Sequence, residues 1–100
     1  MGVVDIEHGR DRHLASKILC AWGLGPEQKS LLLDDRESVI AVLSIHESLR
    51  VIFSEAGEGR AYQWISQPNK AFEGNSAVDI ILAGDIERVW KYLKYHVHNA

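Results

Sequence analysis

Histidines are the residues of this chain whose spacing could support metal chemistry. The chain has five, and His96 and His98 are separated by a single residue. On a helix, residues i and i+2 point about 200° apart, so this pair could clamp a metal ion only from an extended end. No cysteine pair and no H-E-x-x-H helix accompanies them, so a zinc ligand set is incomplete. We expect neither a metal nor a cofactor.

The sequence supports a nucleophilic catalytic site no better than it supports a metal site. Cys20 is the single cysteine and lies in the apolar run ASKILCAW, which predicts a small core residue rather than a reactive thiol. The segment GEGR is a fragment of a glycine-rich loop without a preceding strand. No nucleophile and base can be paired from their spacing. We therefore expect that the chain is not an enzyme.

Length and charge limit the classes of function. The 100 residues predict one domain of ordinary globular composition, with a formal net charge of −3. Neither half of the chain is basic, so autonomous binding to DNA is disfavoured. No signal peptide and no membrane-spanning segment is recognised, and a single thiol suits a reducing compartment. These features predict a soluble, cytoplasmic protein that does not enter a membrane.

Apolar residues recur with helical spacing along the chain, and no convincing alternation of period two is present. The fold is predicted to be all-α, a small helical bundle with a long central helix. Residues 1–10 are predicted to form an N-terminal arm, residues 11–54 a helical region that ends in the long helix, and residues 55–100 a C-terminal module of three helices. The glycine- and glutamate-rich break at residues 54–59 is the only plausible seam.

The long central helix, in DDRESVIAVLSIHESLRVIF, has more apolar surface than one neighbour would cover. Asp34 or Asp35 is placed to cap its start. One stripe of this helix is therefore a candidate surface for contact with a second copy. Its members are Val39, Val42, Leu43, His46 and Leu49.

The turn QPNKAF joins two of the later helices. Pro68 stiffens it, and the Asn69 side chain can accept a hydrogen bond from its own backbone. Either Phe72 plugs the core below a helix–helix corner, or the turn presents a binding edge. Ser76 and Asp79 follow with the spacing of a capping box.

The last helix has the cleanest pattern. Ile86, Val89, Trp90, Leu93 and Val97 form one apolar stripe, and the chain from Arg88 onward has three Lys/Arg, two His and no Asp/Glu. The cations either complement the negative end of the helix dipole or dock into a partner. The residues proposed to contact a partner are Lys91, Lys94, Tyr95, His96, His98, Asn99 and Ala100.

The stretch YQWISQPNKAFEGNSAVDIILAGDIERVWKYL resembles the C-terminal domain of the Xre/MbcA/ParS antitoxins. That domain carries the signature W-[LI]-x-x-P-N-x-x-[FL]-x-G, followed by P-L-D-x-[LI]-x-x-G and a final helix. Ala77-Val78 stands where the family has Pro-Leu. The matching signature residues, which we assign to the scaffold that orients the last helix, are Trp64, Pro68, Asn69, Phe72, Gly74, Asp79 and Gly84, with Ile65 beside them.

This resemblance implies a dimeric antitoxin of a type II toxin–antitoxin system. Its partner would be a RES-domain toxin, which consumes NAD or transfers ADP-ribose from it. The antitoxin's C-terminal segment would block the toxin's NAD site, and residues 55–100 would be the toxin-binding domain.

The upstream segment ILCAWGLGPEQKSLLL resembles the degenerate helix-turn-helix of the same family. LLLDDRES then runs almost directly into the long helix, where relatives carry a recognition helix. We therefore do not expect the lone protein to bind DNA specifically. The alternative function is a DNA-binding repressor of its own operon, alone or with toxin; a third is a helical adaptor without a toxin.

Overall fold

The computed structural model describes the backbone of residues 2–54 and 58–99, and the side chains of residues 9–54 and 59–98. These ranges contain α-helices, one 3₁₀ turn at Lys70–Phe72 and no strand, so the prediction of a small all-α bundle is confirmed. The helices are α1 (Gly2–Ala21), α2 (Pro26–Leu33), α3 (Arg36–Ile52), α4 (Glu58–Ser66), α5 (Ala77–Leu82) and α6 (Ile86–Asn99).

The helix starts follow local chemistry that the sequence makes visible. α2 begins at Pro26, whose fixed φ suits a first helical turn, and the Gln28 side chain accepts a hydrogen bond from the Gly25 N–H at 2.9 Å. α3 begins after Asp35, whose carboxylate accepts from the Glu37 N–H at 3.3 Å and from the Ser38 hydroxyl at 2.8 Å. Asp35, rather than Asp34, is thus the cap of the long helix.

The N-terminal residues differ from their prediction. The arm is predicted over residues 1–10, but α1 begins at Gly2 and runs without a break to Ala21; Met1 lies outside the described residues. The segment lacks a clear apolar period, and the sequence pattern therefore does not reveal its helical backbone.

The core lies between α3 and its neighbours α1 and α6. Val39, Val42 and Leu49 are 1%, 0% and 1% exposed, and they belong to the cluster that also includes residues of α1 and α6. This face was the candidate dimer surface, and that assignment is wrong for these three residues because the chain itself covers them. Leu43 and His46, at the edge of the same face, are half-buried.

Cys20 is a second correction, because it is exposed. Its neighbours Ile18, Leu19 and Trp22 face the core. Each residue advances about 100° around a helix, so the step from Leu19 to Cys20 carries the thiol to the outer side of α1. The apolar residues around Cys20 in the sequence therefore belong to the inner face of α1.

The predicted N-terminal and C-terminal parts share one core. α6 packs along α3, and α5 packs on both α4 and α6. Leu19, Val42, Ile65 and Leu93 all belong to the same cluster of buried side chains. The last helix is therefore packed against the central helix, and its core residues run as far as Leu93. None of the described helices is long and apolar enough to cross a membrane.

Candidate functional site

The turn after α4 is closed by hydrogen bonds that converge on Asn69. Its side-chain oxygen accepts from the Ala71 N–H at 2.9 Å, its carbonyl accepts from the Gly74 N–H at 3.0 Å, and its own N–H donates to the Asn75 carbonyl at 3.0 Å. The predicted role of Asn69 as an organiser of the turn is confirmed. Pro68 is exposed beside it.

Phe72 lies beneath this turn and is 1% exposed, as expected for a residue that plugs the core. The chain then reverses through two residues in the left-handed region, Glu73 with φ +53° and Gly74 with φ +85°. Glycine adopts this region without steric cost, which explains the glycine at the second position. The turn is thus a rigid corner above a buried aromatic ring.

The corner leads into α5 and then directly into α6. Ser76 and Asp79 form the predicted capping box, in which each side chain accepts from the other residue's N–H at 3.1 Å. α5 ends at Leu82, and Gly84, with φ +98°, allows the sharp change of direction before α6 begins at Ile86.

Arg88 connects the first turn of α6 to the turn at residues 69–74. Its guanidinium donates to the Ala71 carbonyl at 3.0 Å, pairs with the Glu73 carboxylate at 2.6 Å, and lies 5.4 Å from the centre of the Phe72 ring. Sequence reasoning counted Arg88 only among the cations of the last helix. Its contacts span 15 to 17 residues of sequence, so spacing along the helix could not identify them.

The apolar stripe of α6 packs as predicted. Val89 and Leu93 are 0% and 2% exposed, and Ile86, Trp90 and Val97 are half-buried along the same side. Contacts with the core from Ile86 to Leu93 hold the first two turns of the helix against α3 and α5.

The opposite face of α6 carries most of the residues proposed to contact a partner. Lys91, Lys94, Tyr95 and His98 are exposed, and their spacing of three, four and seven residues places them on one helical face. Tyr95 is 64% exposed. Asn99 is the last described residue of α6, with its backbone alone described, and Ala100 lies outside the described residues.

The Lys91 ammonium lies 2.9 Å from the Glu87 carboxylate. Its hydrogen bond to Glu87, and the negative charge of that group, raise the pKa of Lys91 above its ordinary value. Lys91 therefore carries its positive charge at neutral pH. The Lys94 ammonium lies 5.2 Å from the centre of the Trp90 ring, a cation–π distance.

An aromatic ladder connects the corner to the end of α6. Trp64 stacks on Tyr92 with 6.1 Å between ring centres, Tyr92 contacts His96 at 4.4 Å, and His96 contacts Tyr95 at 5.7 Å. Trp64 and Tyr92 also meet Phe72 edge-on, at 6.4 and 5.2 Å. The ladder is defined by Trp64, Tyr92, His96 and Tyr95, and through it Trp64 contacts the last helix.

Sequence reasoning missed this ladder. The four-residue step from Tyr92 to His96 is a visible signal, because such residues are neighbours on a helix. The contact between Trp64 and Tyr92 joins helices that are separated by two turns and α5, and no local spacing encodes it.

The histidine pair lies within α6, so His96 and His98 project from different sides of a helix rather than from an extended end. Among the described side chains, no group of three or more His, Cys, Asp or Glu is placed to hold a metal ion. The arrangement instead offers donors, cations and flat rings on one exposed helical face. Such groups suit recognition of another molecule.

Comparison with known proteins finds similarity to "Uncharacterized protein y4oB" of Sinorhizobium fredii (strain NBRC 101917 / NGR234), 43% identical over 67 residues. The matched region covers 64% of this chain and 50% of the relative, so the chain spans about half the length of the curated relative it matches. No family model matches the chain. No solved structure matches it.

Proposed function

We propose that this chain is an antitoxin that neutralises a RES-domain toxin by placing the C-terminal end of α6 in the toxin's NAD site. The proposal starts from the resemblance of the segment from Trp64 to Gly84 to the Xre/MbcA/ParS antitoxins. The toxin supplies the catalytic residues, and this chain contributes none. Two copies of the antitoxin are proposed to take part in the complex.

The observation that carries the proposal is the contrast between the two faces of α6. Val89 and Leu93 are buried along one side, while Lys91, Lys94, Tyr95 and His98 are exposed along the other. A helix held on one side loses little further freedom when its other side binds, and preorganisation of this kind favours affinity. The scaffold residues support the geometry and do not need to touch the toxin.

The aromatic rings at the exposed end suit a dinucleotide site. NAD presents two flat heteroaromatic groups, so a pocket shaped for it accepts a flat ring. The Tyr95 and His96 rings stand next to each other at this end, 5.7 Å apart. A Tyr or His ring buries a large flat surface while its polar tip keeps a hydrogen-bond partner.

The experiment is co-purification of this chain with the product of the neighbouring gene, followed by an assay of NAD consumption. Occupation of the NAD site predicts competitive inhibition, in which the antitoxin raises the apparent KM for NAD and leaves kcat unchanged. Inhibition that lowers kcat at saturating NAD would place the antitoxin elsewhere on the toxin. Failure of the two proteins to associate would refute the proposal as a whole.

A further inference from the structure

A groove opens where the first turns of α3 and α6 lie side by side, on a different side of α6 from Tyr95. Its volume is about 440 Å³, and Ile40 and Trp90 are among its apolar lining residues. Ile40 is 50% exposed and Trp90 half-buried, so apolar surface in the groove faces solvent. Uncovered apolar surface in a concave site is typical of a contact site for another protein.

The charged residues of the groove are acidic. Its lining includes Asp35, Glu37, Asp85 and Glu87, and the described lining contains no Lys or Arg. Asp35 is engaged in capping α3, and Glu87 pairs with Lys91. Glu37 has no ion-pair partner among the described side chains and is exposed. The groove is therefore complementary to a cation beside an apolar group.

α6 itself carries such a group where the side that bears the groove borders the face of Tyr95. Lys94 lies one turn beyond Trp90, with its ammonium 5.2 Å from the centre of the Trp90 ring, and it is exposed. Val97, a further turn along, is half-buried. This side of α6 is thus acidic at its start, apolar at Trp90 and basic towards its end.

We propose that the occupant of the groove is a second copy of this chain, packed with its α6 antiparallel to the first across a two-fold axis. Glu87 and Lys94 are seven residues apart, about 10 Å along the helix. An antiparallel pair of such helices places the basic end of each beside the acidic groove of the other. The contact is isologous, so each favourable charge pair occurs twice and the assembly closes at two copies.

This interface differs from the α3 surface suggested by the sequence pattern, where Val39, Val42 and Leu49 are buried in the chain's own core. It also has a consequence that rests on the proposed function. Lys94 belongs both to the dimer contact and to the face proposed to bind toxin. Binding of toxin through Lys94 then requires that the α6–α6 contact opens, so the two copies proposed to take part in the toxin complex do not contact each other through this interface.

Sedimentation velocity over a range of protein concentrations tests the dimer without any toxin. We expect a reversible dimer that weakens as salt increases, because exposed charge pairs are screened. Glu37→Lys and Lys94→Glu should each weaken it about tenfold, since each change places like charges together at two symmetric positions. Glu27→Lys is the matched control: Glu27 is also an exposed acid in the first turn of a helix, but it lies outside the groove.

The decisive step is to mix the two charge variants. A Glu37→Lys chain and a Lys94→Glu chain meet with opposite charges at both positions, so they should form a heterodimer in preference to either homodimer. The doubly changed chain should likewise regain self-association. Three results would overturn the proposal: a wild-type chain that stays monomeric up to about 1 mM, a dimer indifferent to both substitutions, or an equimolar mixture that shows no preference for the heterodimer.

The dimer and the proposed function can each be refuted without refuting the other. If the dimer is wrong, Glu37→Lys has no effect on sedimentation, and inhibition of the toxin is unaffected. If the function is wrong, the charge swap still controls dimerisation while no inhibition of NAD consumption is found.

Discussion

At the scale of single residues, one arginine joins the signature turn to the last helix. Arg88 donates to the Ala71 carbonyl, pairs with Glu73 and covers the Phe72 ring. Its side chain is 38% exposed and that of Glu73 is 70% exposed, so solvent weakens the ion pair. The hydrogen bond to a backbone carbonyl and the contact with the ring do not depend on the carboxylate. Arg88 thereby links the position of α6 to the conformation of the turn.

Arg88→Met should lower the free energy of unfolding by about 1 kcal/mol, the range of a partly exposed charged hydrogen bond. For a domain of this size, that loss corresponds to a melting temperature about 4–8 °C lower. Thermal unfolding followed by circular dichroism measures it. Lys91→Met is the matched control, because its ion pair with Glu87 joins two exposed residues of one helix and should change the melting temperature less. Equal small shifts for both variants would contradict the role given to Arg88.

At the scale of elements, helix starts and turns follow from local sequence. Pro26 begins α2, Asp35 caps α3, and Ser76 and Asp79 cap α5, all within a few residues of where the pattern predicts them. Tertiary contacts decide what remains. The periodicity of α3 shows an apolar stripe but not what covers it, so Val42 and Leu49 were assigned to a second copy instead of the core.

The backbone conformation of the turn after α4 leads to a prediction at the scale of elements. Gly74 has φ +85°, and a Cβ built there meets no atom within 4 Å. Gly74→Ala should therefore lose stability through backbone strain alone, about 1 kcal/mol. Gly9, within α1, has equally open space and no positive φ. Gly9→Ala should gain about 0.5–1 kcal/mol. Chemical denaturation measures both, and a loss at Gly9 or a gain at Gly74 would contradict this account of the turn.

At the scale of the whole molecule, α6 has one side in the core and another in solvent. α3 and α5 pack against the helix, whose core residues end at Leu93, and the aromatic ladder connects the part beyond Leu93 to Trp64. The sequence pattern predicted the buried stripe of α6 and the cationic character of its end. It could not predict that Trp64 and Arg88 would anchor this helix from distant positions, because those contacts exist only after the chain has folded.

The most direct test removes the proposed inhibitory end and leaves its support in place. Deletion of residues 96–100 removes His96 and His98, both exposed, and retains Val89 and Leu93 in the core. We predict that the shortened chain keeps its helical circular dichroism and melts within a few degrees of the full chain, yet no longer inhibits NAD consumption by the toxin. Full inhibition by a well-folded shortened chain would contradict the claim that this end of α6 occupies the NAD site.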